Sequence, residues 1–100
     1  MTPEPSSAFR DWFAVPAGAS RILSAFYRAP GCLTRQKIAE LSSLSIASVS
    51  VYISWLRKAL DAEAIDTRYE ETTGRVMYGL TDAGRDECDL AMDDATRRAA

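Results

Sequence analysis

Hydroxyl and basic side chains are grouped on one segment in the middle of the chain. Ser48, Ser50 and Ser54 can each donate and accept hydrogen bonds, and Arg57 and Lys58 add positive charge a few residues later. Side chains of these types bind polar, negatively charged groups such as phosphate without breaking a covalent bond. The chemistry that they favour is recognition rather than catalysis.

The sequence has few of the residues that catalysis or metal binding requires. The 100 residues include no histidine, which excludes an imidazole base and the Ser-His-Asp arrangement. Cys32 and Cys88 are too few for a four-ligand zinc site. Four aspartates recur at helical spacing near the end of the chain, at Asp82, Asp86, Asp89 and Asp93. Arginines beside them account for their charge without a divalent ion, so we expect no catalytic residue, metal or cofactor.

The composition is that of one small globular domain, with 47% hydrophobic and 26% charged residues. Glu4 places an acid where a secretory signal needs positive charge, and no apolar run approaches the roughly 20 residues of a membrane span. Two cysteines do not make the disulfide framework of a small secreted domain. We therefore expect a cytoplasmic protein without a membrane partner.

Charge is divided unevenly along the chain, although the total is only −2. Residues 21–60 hold six Lys and Arg against one Glu, a net charge of +5, whereas residues 61–100 hold five Arg against eleven acids, a net charge of −6. A basic middle segment in an acidic protein is either a phosphate-binding surface or an ordinary solvated face. This observation alone does not separate the two.

Helices are predicted on both sides of this basic segment and within it. Ser6 or Ser7 is expected to cap a short helix whose Phe9, Trp12 and Phe13 fall at i, i+3 and i+4, on one face. Three aromatics on so short a helix must pack on the rest of the domain or on another chain. A second helix is expected to run to about residue 28 and to end at a Pro-Gly pair.

Two helices then follow in close succession. Thr34 is expected to cap a helix from Arg35 to about Leu41, with Ile38 and Leu41 facing the core. After a short break, Ser45 is expected to cap the next helix, residues 46–60. Its core stripe is spaced 4, 3 and 4 residues apart, at Val49, Ile53, Leu56 and Leu60.

The periodicity changes to two after this helix. Residues 65–69 and 76–80 alternate apolar and polar side chains around a Thr-Thr-Gly turn, which predicts a β-hairpin. Thr81 is expected to cap a final helix. We divide the chain into residues 1–16, an extension with a short aromatic helix; 17–81, the core; and 82–100, a C-terminal helix.

This order of elements predicts a mainly α fold with a small antiparallel β-hairpin, namely a winged helix-turn-helix with additional N- and C-terminal helices. The helix-turn-helix pattern has apolar residues at four positions and a small residue at a fifth. The sequence has Ile38, Leu44, Val49 and Tyr52 at the apolar positions and Ala39 at the small one. Two positions depart from the pattern. Ser42 stands where an apolar residue is usual, and Ser43 stands where glycine often relieves a left-handed turn.

Two stretches resemble known families. Residues 48–60, Ser-Val-Ser-Val-Tyr-Ile-Ser-Trp-Leu-Arg-Lys-Ala-Leu, are similar to the recognition helix of response regulators of the OmpR and PhoB type. Residues 78–85, Tyr-Gly-Leu-Thr-Asp-Ala-Gly-Arg, resemble the strand-to-helix junction of winged-helix repressors of the MarR and PadR type. The resemblance covers roughly residues 17–95. It implies a regulator that binds double-stranded DNA as a homodimer.

The resemblance also implies that the flanking helices build the dimer. The candidate interface residues are Phe9, Trp12, Phe13, Cys88, Ala91, Met92 and Ala95. The alternative is that these stripes cover the core of a single protomer.

Candidate DNA-binding residues follow from the helical wheel of residues 46–60 and from the predicted wing. On the helix they are Ala47, Ser48, Ser50, Val51, Ser54, Arg57 and Lys58; Thr34 and Arg35 precede it, and Arg68 and Arg75 lie on the wing. The sequence thus predicts a sequence-specific transcription regulator that is not an enzyme and that places this helix in the major groove.

The alternative function is a protein interaction module, for example an adaptor or anti-repressor. Val51 and Trp55 are large apolar groups on a face that water should cover, and such exposure often marks a protein contact. The acidic C-terminal helix is a second candidate surface for a protein partner. Glu70 and Glu71 near the wing tip would also repel phosphate.

Overall fold

The computed structural model describes residues 3–99, which form five helices and a small antiparallel sheet. The helices are α1 (Pro5–Phe13), α2 (Ala17–Arg28), α3 (Arg35–Ser42), α4 (Ile46–Ala59) and α5 (Asp82–Ala99). The strands are β1 (Leu33–Thr34), β2 (Ile65–Glu70) and β3 (Arg75–Leu80). The mainly helical winged-helix fold predicted from the order of elements is confirmed.

The sheet has three strands in the order β1-β3-β2, all antiparallel. The hairpin of β2 and β3 forms as predicted, with Ile65 opposite Leu80. The sequence did not predict β1, in which Leu33 lies opposite Tyr78. A strand of two residues is too short to show an alternating pattern, and it exists only because β3 supplies its partner groups.

The helix-turn-helix consists of α3 and α4, which are bent by 92° relative to one another. Thr34 and Ser45 cap the two helices as predicted, accepting hydrogen bonds from Lys37 N and Ser48 N, both at 3.2 Å. Ser43 adopts the left-handed conformation that the pattern requires at the turn, with φ 55° and ψ 44°. Within residues 3–99 no single helix is long and apolar enough to cross a membrane.

The inner side of α4 lies in the core. Val49, Ile53, Leu56 and the adjoining Leu60 are all buried, which confirms the predicted stripe. The expectation for α3 was wrong at one position: Leu41 is half exposed, and Ser42 takes the buried place beside it. The helix therefore turns its last polar residue inward, so the hydroxyl of Ser42 has no hydrogen-bond partner within residues 3–99.

The short helix α1 packs on α2 and α5 and completes the core. Phe9 is fully buried, and its ring meets that of Tyr27 edge-on with centroids 5.4 Å apart. The predicted cap was wrong: Glu4, not Ser6 or Ser7, accepts the hydrogen bond from the Ser7 backbone N–H. Pro5 explains the shift, because proline favours the first position of a helix and lacks the N–H that a cap would satisfy.

The junction of β3 and α5 is tightly held. The Thr81 hydroxyl accepts from Gly84 N at 3.1 Å, as predicted for a cap, and donates to the carbonyl oxygens of Glu63 and Ala64. In the next turn, Arg85 donates to three carbonyl oxygens at the end of α2, those of Phe26, Tyr27 and Ala29, at 3.1 to 3.4 Å. The C-terminal helix is therefore fixed to both the sheet and α2.

Candidate nucleic-acid interface

The outer side of α4 is open to solvent. Ser50, Val51, Ser54, Trp55 and Lys58 line a shallow concavity of about 430 Å³, and Val51 and Trp55 are 57% and 49% exposed. These side chains are exposed because the helix is amphipathic and its buried stripe occupies the opposite face. No part of the chain within residues 3–99 covers this surface.

Two further predicted residues lie at the start of the same helix. Ala47 is exposed and leaves room for close approach of a ligand. Ser48 is half-buried, and its hydroxyl lies 2.9 Å from that of Ser45. Ser48 therefore extends the helix cap, and its hydroxyl is already engaged within the protein.

A second concavity lies between the start of α3 and the wing. Its volume is about 370 Å³, and it is lined by Thr34, Arg35, Gln36, Ile46, Gly74, Arg75 and Val76. The structure thus brings together three of the predicted residues, Thr34, Arg35 and Arg75, from separate parts of the sequence. Free backbone N–H groups at the start of α3 add partial positive charge to the same place.

Arg35 is held in position by a residue of the sheet. Its guanidinium donates to the Tyr78 hydroxyl from both Nε (3.3 Å) and a terminal nitrogen (3.0 Å). The phenol ring of Tyr78 is buried, so Arg35 is fixed to the core while its own side chain remains exposed. The sequence did not predict this contact, because it depends on β1 pairing with β3.

Two other predicted cations, although exposed, already have partners within the protein. The Arg57 guanidinium donates to the Thr67 hydroxyl on β2, which ties α4 to the wing. Arg68 forms an ion pair with Asp66 at 2.7 Å. Lys58 and Arg75 form no ion pair within residues 3–99, and both are exposed.

The tip of the wing is acidic and exposed. Glu70 ends β2 and Glu71 follows it in the turn, and both lie in solvent. Tyr69 is 67% exposed on the same strand. Arg75 at the start of β3 pairs in register with Glu70, so the wing presents both signs of charge to an approaching ligand.

The candidate dimer residues divide into two groups. Phe9, Cys88 and Ala91 are buried in the protomer's own core, which is the arrangement that the alternative describes. Phe13 and Met92 are half-buried against the same core, and Ala95 is half-buried. Trp12 is 44% exposed and lines a groove of about 310 Å³ between α1 and α5.

Two groups, the Cys88 thiol on α5 and the Tyr27 phenol beside it, have raised pKa values. Burial raises the pKa of the Cys88 thiol to about 12, with the charges of Glu87 and Asp89 adding to the effect. A hydrogen bond to Asp89 at 2.5 Å raises the pKa of Tyr27 to about 12. Neither group is a nucleophile at neutral pH, since the thiolate and the phenolate are the reactive forms.

The three-stranded sheet, the capped helix pair and the uncovered α4 together define a winged helix-turn-helix domain. The MepR–DNA complex of S. aureus has this fold: it superposes with a TM-score of 0.68 and 18% identity, over 95% of this chain and 77% of that chain. A MarR/EmrR family transcriptional regulator from Acinetobacter gives 0.65 and 24%, over 95% of this chain and 65% of that chain.

A homodimeric winged helix-turn-helix DNA-binding domain from Mycobacterium bovis, a possible ArsR-family regulator, is also similar. Its TM-score is 0.63 at 18% identity, over 94% of this chain and 79% of that chain. At these identities the likeness establishes the fold. The chain spans only about two thirds of the length of several such structures, down to 64%. The sequence itself matches no family profile and no curated protein.

Proposed function

We propose that this protein is a transcription regulator that binds double-stranded DNA by placing α4 in the major groove. The observation that carries the proposal is the exposed side of α4. It is the second helix of a helix-turn-helix, its apolar stripe is buried, and its small and hydroxyl side chains face solvent. An α-helix of this kind fits the major groove of B-DNA.

The residues divide by role within this proposal. Ala47, Ser50 and Ser54 are small enough for the helix to approach base edges closely, and the hydroxyls can donate or accept. Lys58 near the end of α4 and the pair Arg35 and Arg75 beside the second concavity contact phosphates. Arg57 positions the wing through Thr67, and its charge adds to the same field.

We also propose that the protein acts as a homodimer, as the mycobacterial domain of the same fold does. Trp12 on α1 is the exposed aromatic of the groove against α5, and burial of such a side chain in a symmetric contact is favourable. A dimer would present two copies of α4 to two half-sites, about one helical turn apart.

Since its proposed ligand is DNA, we place the protein in the cytoplasm and give it no catalytic step, metal or cofactor. The division at residues 16/17 and 81/82 separates the proposed DNA-binding core from the flanking segments that we assign to assembly. The sequence resemblance of the β3–α5 junction to MarR and PadR repressors supports this function, and we propose that the resemblance of α4 to OmpR and PhoB helices reflects the same use of the helix.

Fluorescence anisotropy with labelled duplexes tests the proposal. We expect a random duplex to bind weakly and a duplex selected from a random pool to bind at least tenfold more tightly, with both affinities falling as salt rises. Lys58→Ala should lower both affinities and reduce the salt slope by about one. Arg97→Ala on the last turn of α5 is the control and should change neither. Absence of binding at low salt, or binding indifferent to salt, would refute the proposal.

A second candidate function is supported by the exposure of Val51 and Trp55. A protein interaction module would use these side chains, or the acidic face of α5, against another regulator. The discriminating result is a protein partner that is lost on Trp55→Ala while the affinity for every duplex stays negligible. The DNA-binding proposal instead expects measurable affinity for a selected duplex and no protein partner that depends on Trp55.

A further inference from the structure

The exposed side of α4 consists of two parallel rows of side chains. Ala47, Val51 and Trp55 follow one another at i, i+4 and i+8 and form an apolar row. Ser50 and Ser54 form a hydroxyl row beside it, next to Lys58. The apolar row is well exposed at its two larger members, 57% at Val51 and 49% at Trp55.

In its central turns, α4 lacks the side chains that usually distinguish bases by paired hydrogen bonds. Its sequence, IASVSVYISWLRKA, contains no Asn, Gln, Asp or Glu. The Arg57 guanidinium is hydrogen-bonded to the Thr67 hydroxyl. Lys58 is in the last turn of the helix, where contact with the sugar-phosphate backbone is favoured. Bidentate contacts to adenine or to guanine are therefore unavailable from the central turns of α4.

Only one base edge in the major groove is apolar, namely the C5 methyl group of thymine. We infer that Val51, flanked by Ala47 and Trp55, recognises thymine methyl groups, so that methyl contact is the main source of base specificity in α4. This inference rests on the proposed DNA binding. The occupant is duplex DNA because positive charge lies at both ends of the apolar row. Lys58 is near one end, and at the other Ile46, beside Ala47, lines the concavity that holds Arg35 and Arg75.

The size of the effect follows from the area of one methyl group. Removing one buried methyl costs about 0.8 kcal/mol, which corresponds to an affinity about fourfold lower. Replacing thymine by deoxyuridine removes that methyl and leaves the base pair and its hydrogen-bonding groups intact. The comparison therefore isolates the apolar contact from the hydroxyl contacts.

The experiment uses a duplex selected by the full chain, with each thymine replaced in turn by deoxyuridine. We expect one or two positions per half-site at which anisotropy gives about fourfold weaker binding. The Val51→Ala protein should bind the thymine duplex and the duplex substituted at one of these positions with equal affinity, because the side chain that contacts the methyl group is gone. Leu41→Ala, which truncates a similarly exposed side chain on α3, is the matched control and should retain the fourfold difference.

The outcomes distinguish the inference from the function on which it rests. Salt-dependent binding that is unchanged at every deoxyuridine position would overturn methyl recognition and leave DNA binding intact. A Val51→Ala protein that loses affinity equally for both duplexes would also overturn it. Failure to bind any duplex would overturn both, and a protein partner lost on Val51→Ala would then assign the apolar row to a protein contact.

Discussion

Ser20 and Ser42 are equally buried, each 2% exposed, but differ in one hydrogen bond. The Ser20 hydroxyl donates to the Ala17 carbonyl oxygen at 2.8 Å, whereas that of Ser42 has no partner within residues 3–99. A buried polar group without a partner costs free energy that an alanine would not.

We therefore expect Ser42→Ala to raise the free energy of unfolding by about 1 kcal/mol and Ser20→Ala to lower it by a similar amount. Urea denaturation of the two variants measures the difference directly. Equal destabilisation by both substitutions would show that the Ser42 hydroxyl has a partner.

Tyr27 makes the stability of the fold depend on pH in the alkaline range. The hydrogen bond to Asp89 and burial raise its pKa to about 12 from an ordinary value of 10.0, so the folded state retains a proton that the unfolded state loses. The contribution of the protonated Tyr27 to the free energy of unfolding is fully present below pH 10 and is lost between pH 10 and about 12.

Absorbance titration at alkaline pH should show an ionisation near pH 12 that belongs to Tyr27. Tyr27→Phe should remove that step, and Asp89→Asn should move it towards pH 10 because the negative partner is gone. A titration unchanged by Asp89→Asn would contradict the assigned cause.

At the scale of elements, the sequence was informative wherever one segment carried its own periodicity. The stripe of α4, the caps at Thr34, Ser45 and Thr81, and the hairpin could all be predicted, because each depends on residues close in sequence. Contacts between distant segments could not. Strand β1 needs β3, and the burial of Phe9 depends on where α2 and α5 lie.

The candidate site shows the same division. The exposed row of α4 could be predicted from its helical wheel, whereas the engagement of Arg57 by Thr67 and of Arg35 by Tyr78 depends on how the sheet packs. Leu41 was misplaced because residues three and four positions after Ile38 both lie near its side of the helix, so the spacing alone did not choose between Leu41 and Ser42.

The junction of β3 and α5 depends on the close packing of Gly84. A Cβ on Gly84 would collide with the Ala64 carbonyl oxygen and lie 2.9 Å from a Leu80 methyl. Alanine gains about 1 kcal/mol of helix propensity there, but the collision with backbone outweighs it.

We expect Gly84→Ala to lower the free energy of unfolding by about 2 kcal/mol in chemical denaturation. The exposed Asp86→Ala on the same helix should stay within about 0.5 kcal/mol of the parent. A stabilised Gly84→Ala protein would mean that α5 does not pack this closely on the loop before β2.

For the whole molecule, the proposed dimer sets the distance between two copies of α4. Trp12 and Trp55 are exposed to similar extents, 44% and 49%, but lie on the proposed dimer surface and the proposed DNA surface respectively. A charged residue at the first should therefore separate the chains, whereas one at the second should not.

Analytical ultracentrifugation should give twice the mass of the chain for the parent protein and for Trp55→Glu, and the mass of one chain for Trp12→Glu. Circular dichroism establishes that both variants are folded. A Trp12→Glu protein that keeps the dimer mass would move the interface away from the α1–α5 groove.

The uncovered side of α4 is the proposed DNA contact, and amide chemical-shift mapping measures this contact residue by residue. On adding a selected duplex to the labelled protein, we expect the largest shifts at residues 46–58, smaller ones at residues 34–36 and 75, and little change in residues 82–89 of the acidic helix. Shifts concentrated in α5, with α4 unchanged, would refute DNA binding by α4.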